Sequence, residues 1–161
     1  MISLSDFAIT VYRASDVQSA CLQLQDDFNA DIPYLFFLCW YGVYKGQISD
    51  ELAAVSEHHN QSISRQVVQP LRQARRWMKM HWSAQSPLRE KIKAAELQAE
   101  LALLEDLQQM AAPIAGNGHP GTEAIRANIQ RYLQSLPVLP DEHIWLPVLR
   151  GAAGVQHPAS D

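Results

Sequence analysis

Cysteine is scarce in this chain: Cys21 and Cys39 are the two in 161 residues, and both sit inside apolar runs. A small secreted domain stapled by disulfides would carry more of them, at turn-like positions, so both are expected to be reduced and buried in a cytoplasmic protein. Long hydrophobic runs are missing as well. The longest, Leu35 to Val43, falls far short of the roughly 20 residues that a membrane span needs. The N-terminus, Met1-Ile2-Ser3-Leu4-Ser5-Asp6, has no basic n-region and no apolar h-region, so no signal peptide is expected. No internal repeat stands out, and no stretch alternates as a strand would.

The motifs of catalysis are also missing. His58 and His59 are neighbours and point to different sides of a helix, and nothing has zinc-ligand spacing. No Ser, Thr or Cys occupies a nucleophile motif, and Cys39 lies where a thiolate is disfavoured. Asp26-Asp27-Phe28-Asn29-Ala30-Asp31 could hold Mg²⁺ and diphosphate only with a second acidic motif, which the chain lacks. Gly116-Asn117-Gly118-His119-Pro120-Gly121 spells a dinucleotide fingerprint, but a helix rather than a strand precedes it and Pro120 has no N–H. It is expected to be a flexible loop. No catalytic residue, metal or cofactor is therefore expected.

Hydrophobic residues make up 47% of the chain and charged residues 19%, which is a globular composition. The length suits one domain, placed at residues 1–150 with a flexible tail at 151–161. The fold class expected is an all-α bundle of six to seven helices. Ser5 starts a first helix and Ser15-Asp16 a second. Asp31 caps a third, which is apolar on every side from Leu35 to Tyr41 and so belongs at the centre. A fourth begins at Ser49-Asp50-Glu51 and reaches about His59. A fifth covers roughly residues 61–82 and contains Pro70, which should kink or split it. A long helix follows from Ser86-Pro87 to about Ala112, and a shorter one from Thr122. Pro137, Pro140 and Pro147 then point to extended structure.

Charge is distributed unevenly. The formal net charge is −4, yet residues 61–93 carry eight of the thirteen basic residues and one acid, Glu90, leaving that segment at +7 and the remainder at −11. On a helical wheel Ile63, Val67, Leu71, Ala74 and Met78 share one sector, and Arg65, Arg72, Arg75, Arg76 and Lys79 lie nearly opposite, at about 100° per residue. Two readings stand. The cations form an anion-facing surface for a partner or phosphate-bearing ligand, or acids on neighbouring helices neutralise them. The long helix carries two apolar stripes, Ile92, Ala95, Ala99, Leu103 and Met110 on one side and Leu97, Leu101, Leu104 and Ala111 on the other. The second stripe either contacts a partner or a second copy of the chain, or is covered within its own bundle.

Two stretches resemble a known family. One is Leu24-Gln25-Asp26, a short turn, then Asp31-Ile32 leading into Leu35-Phe36-Phe37-Leu38-Cys39-Trp40. The other is Val67-Val68-Gln69-Pro70-Leu71-Arg72 followed by Arg75-Arg76. Together they resemble a family of short proteobacterial proteins catalogued as a domain of unknown function, over roughly residues 5–110. The resemblance implies a bacterial cytosolic protein and carries no activity with it. In that family the turn usually has a glycine where this chain has Asn29, and Val-Asn where it has Ile32-Pro33.

The leading reading is a helical interaction module. It binds another protein, or itself, through Arg65, Arg72, Arg75, Arg76 and Lys79, through Leu97, Leu101 and Leu104, or through both. Seven of the thirteen aromatics lie between Phe28 and Tyr44, so the alternative is a small-ligand or enzymatic pocket near Trp40 and Tyr44. Nucleic-acid binding is the least favoured, because no recognition motif accompanies the cations.

Overall fold

A computed structural model describes residues 1–156 of the chain. Ser3, not Ser5, caps α1 (Leu4–Tyr12), its Oγ accepting from the Asp6 N–H at 3.1 Å. The second helix, α2 (Val17–Phe28), ends on Asn29, whose φ of 56° is left-handed. Glycine and asparagine are the residues that tolerate this conformation. Asp31 caps α3 (Ile32–Tyr44), accepting from the Tyr34 N–H at 3.5 Å. Ile32 and every residue from Tyr34 to Val43 are buried. As expected of a helix with no polar face, α3 lies at the centre of the bundle, with α1, α6, α7 and α8 packed around it.

The fourth and fifth helices are one continuous path. Ser49 caps α4 (Asp50–Ile63), a π turn follows at Ser64–Val68, and α5 (Gln69–His81) continues from it. The π turn sits immediately before Pro70, whose ring excludes an α-type bond to residue 66. The helix absorbs the proline by widening one turn rather than by breaking. A short 3-10 turn, Ser83–Gln85, reverses the chain into α6 (Ser86–Ala111), which runs back along α5.

The C-terminal part departs from expectation. After α7 (Thr122–Leu133) comes α8 (Glu142–Gln156), with Pro147 inside it. A mid-helix proline costs about 3 kcal/mol. Here Ile144, Trp145, Val148, Leu149 and Ala152 recur at helical spacing and are all buried against the bundle, which outweighs that cost. Nor does a tail start at 151: Gly151 packs against Val11 and Val17, and the helix continues to Gln156. The rest of the expected tail, residues 157–161, lies outside the described residues.

The glycine-containing loop after α6 is pinned rather than flexible. Gln47 and Asn117 exchange backbone hydrogen bonds at 2.8 Å, and the Gly121 N–H donates to the Gly42 carbonyl at 2.9 Å. The Lys45 ammonium donates to the carbonyls of Ala111, Ala112 and Ile114 at 2.9–3.0 Å, closing the C-terminal end of α6 with a favourable charge. Among the described residues no strand forms; Gln47 and Asn117 make one isolated bridge.

Candidate functional site

The basic helix has a different phase from the regular wheel. A π turn takes one residue more than an α turn, so the inward face passes from Ser56, Asn60 and Ser64 to Val68 instead of Val67. Val67 is left 40% exposed and Ala74 is exposed, while Arg72 and Arg75 turn toward α6. Of the two readings of the five cations, neutralisation by neighbouring acids describes Arg72 and Arg75, while Arg76 stays exposed and meets an acid at the surface. Arg72 Nε donates to Glu96 Oε1 at 2.9 Å and its Nη2 to Glu100 Oε1 at 2.6 Å. Arg75 Nε donates to Glu96 Oε2 at 2.5 Å. Arg76 reaches Asp26 on α2 at 3.0 Å, across an exposed gap where such a pair contributes little. Arg65 and Lys79 are exposed and form no ion pair among the described residues.

Glu96 is the charged residue that the sequence reading passed over. Only 6% of it is exposed, and two guanidiniums share its carboxylate. Burial pushes this carboxyl upward, but the hydrogen bonds and charges of Arg75 and Arg72 outweigh it and hold Glu96 below the ordinary glutamate value. Those bonds in turn raise Arg75. Glu100 goes the other way. Burial raises it and repulsion from Glu96 adds to that, and the Arg72 charge only partly compensates. The only clue in the sequence was spacing: two glutamates four apart on α6 meet two arginines three apart on the helix that runs back along it.

These two carboxylates should titrate in opposite senses. A folded-state value above the ordinary one means stability present at low pH and lost as pH rises past it; a depressed value means stability lost as pH falls. Glu100→Gln should match or exceed the parent in melting temperature at pH 7, with its advantage shrinking as pH falls toward 4.5, the ordinary value. Glu96→Gln should cost about 1–3 kcal/mol at pH 7, since it takes a charged partner from two arginines. That cost should fade below pH 4.5. Thermal melts of both variants across this range check the signs, and parallel pH profiles would contradict the assignment.

The Arg–Glu layer forms one wall of a groove of about 820 Å³ between α1–α2–α3 and the α5–α6 pair. Its apolar surface comes from Ile9, Tyr12, Leu22, Phe36, Leu97 and Leu101. Leu97 is 55% exposed, Leu101 half-buried and Leu104 buried. The second stripe of α6 is therefore covered by its own bundle at one end and open at the other. Two features on separate helices thus converge: Arg72, Arg75 and Arg76 line the same groove as Leu97, Leu101 and Leu104. Arg65 and Lys79 do not line it. Arg13 and Lys93 do, and neither forms an ion pair among the described residues.

Trp40 and Tyr44 serve packing. Trp40 is buried, its Nε1 donates to the Ile2 carbonyl at 3.1 Å, and its ring meets Tyr44 edge-on at 6.0 Å. Neither residue lines the groove or a second cavity of about 140 Å³ beside Tyr34, Glu57, Arg131 and Tyr132. The Tyr34 hydroxyl meets Ser56 Oγ at 3.1 Å and burial pushes it up to about 12. Burial likewise pushes the Cys21 thiol up to about 12 and raises Cys39. Among the described residues no cluster of three or more His, Cys, Asp or Glu could hold a metal ion, and no helix is long and apolar enough to cross a membrane.

Helices around a buried central helix, without strands among the described residues, define an all-α bundle, here with an open groove. The chain belongs to the family described as protein of unknown function (DUF2390), which matches residues 3–107. That span contains every residue lining the groove, from Ser5 to Leu104, and excludes α7 and α8. No curated protein and no solved structure matches the chain.

Proposed function

We propose that this protein is a non-catalytic adaptor that seats an amphipathic helix of a partner protein, flanked by acids, in the groove between α1–α3 and α5–α6. The convergence of Arg72, Arg75 and Arg76 with Leu97, Leu101 and Leu104 on one cleft of about 820 Å³ carries this reading. An apolar trough open along one side suits the apolar face of a helix. Arg13 and Lys93, without internal ion pairs among the described residues, attract acids flanking that face. Arg72, Arg75, Glu96 and Glu100 satisfy one another, so this wall acts as a scaffold and leaves no free acid–base pair. The volume also lies within the range of small-molecule sites. That favours, as a second reading, an apolar ligand with an anionic head.

The test uses two exposed groove residues whose replacement leaves the fold intact. A photo-crosslinking side chain at Leu97 identifies the partner segment, which is then synthesised and titrated against the purified chain. Ile9→Asp combined with Leu97→Asp should weaken binding by about tenfold or more, with the melting temperature unchanged. Added salt should weaken it further. Equal affinity of variant and parent would overturn the groove as the docking site. A small apolar acid retained through native mass spectrometry, with no cross-linked peptide, would favour the second reading.

A further inference from the structure

The reversal between α5 and α6 is a second surface, separate from the groove. Among the described residues α5 packs extensively only on α6 and the turns at its own ends, so the reversal between α5 and α6 lies at the edge of the bundle. Every residue from Lys79 to Leu88 is exposed. Four large apolar side chains are exposed here: Trp77 at 58%, before the buried Met78, and Met80 at 77%, Trp82 at 48% and Leu88 at 42%. Trp77 and Met80 are three apart and face away from the Arg72–Arg75–Met78 side that meets α6. Lys79 and Lys91 are exposed on the same stretch of chain, and Glu90, the one acid between Trp77 and Lys91, lies 3.8 Å from the half-buried Arg89.

We propose that this hairpin tip binds the surface of an anionic lipid bilayer. Trp77, Met80, Trp82 and Leu88 enter the headgroup boundary, and Lys79 and Lys91 pair with lipid phosphates. Exposed tryptophan and methionine with exposed lysines beside them in the chain are the composition of an interfacial element that lies on a bilayer without crossing it. The His81 ring lies 5.1 Å from that of Trp77, tilted by 34°. The overall charge of −4 conceals this end because the acids lie elsewhere in the chain.

The tryptophans make the proposal directly testable in the full chain. Trp40 and Trp145 are buried at 1% and 3%, so a change in emission on binding reports Trp77 and Trp82. Vesicles of phosphatidylcholine with roughly one-third phosphatidylglycerol should shift the emission to the blue and sediment the protein at least about tenfold better than phosphatidylcholine alone. Lipids brominated in their acyl chains should quench it. Trp77→Ser with Trp82→Ser should abolish sedimentation, as should Lys79→Glu with Lys91→Glu, while circular dichroism stays at the parent spectrum. The proposal is overturned if the anionic vesicles leave emission and sedimentation unchanged at low salt, or if binding survives both double variants. A tip that instead cross-links to a protein, with no vesicle binding, would make it a docking knob and also overturn the proposal.

Discussion

Gly42→Ala should destabilise the protein by about 3 kcal/mol or more, lowering the melting temperature by roughly 6–12 °C for a chain of this size. Helix propensity alone gives the opposite sign, since alanine is favoured over glycine inside a helix by about 1 kcal/mol. Packing decides the outcome. The central helix α3 makes its most extensive contact with α7, and Gly42 lies in that contact. A β-carbon there would come within 2.7 Å of the Ile125 Cα and backbone nitrogen. Backbone atoms cannot rotate aside, so the two helices must separate. The Gly42 carbonyl also receives the Gly121 N–H that leads into α7, so the displacement would pull on the pinned loop too. Urea titration at constant m-value checks this. An unchanged or raised midpoint would show that α3 and α7 can part at little cost.

The second large effect is expected at Asn128. It is buried in α7 and ties three segments to its side chain. Its Oδ1 accepts from the Ile48 N–H at 2.9 Å, and its Nδ2 donates to the carbonyls of Leu38 and Gly46 at 3.2 Å. Leucine fills the same volume but satisfies none of these groups. Asn128→Leu should cost about 2–4 kcal/mol, chiefly from the stranded Ile48 N–H and Gly46 carbonyl. Asn128→Asp separates shape from hydrogen bonding: it keeps the acceptor but sets a carboxylate against two carbonyl oxygens. Its cost at pH 7 should equal or exceed that of leucine and ease as the acid protonates. Melts of both variants at neutral and acidic pH provide the test, and an aspartate variant indifferent to pH would refute this role.

Much of the scaffold was legible in the sequence, for local reasons. Asp31 and Ser49 announced α3 and α4 because a cap acts on backbone N–H groups within one turn of itself. The candidate site was legible only in its parts. The arginines and the leucine stripe were each visible. That they line one groove was not, because α5 must fold back onto α6 to bring them together. The other wall, with Ile9, Tyr12 and Leu22, comes from residues more than sixty positions away from Leu97 along the chain in each case. No periodicity within one helix can report that.

Composition and periodicity by themselves determined that this is an all-α protein built round one wholly apolar helix, with a basic segment in an otherwise acidic chain. These are properties of single segments, and a segment carries its own hydrophobic pattern whatever it packs against. Only the tertiary structure decided the rest. The π turn ahead of Pro70 changed the phase of the helix, and Arg72 and Arg75 meet Glu96 and Glu100 on α6. Burial of one face of α8 overrode Pro147, and the apolar tip of the α5–α6 hairpin was left in the open. Each of these depends on which surface lies opposite, and the free energy of burial and ion pairing belongs to the two surfaces jointly.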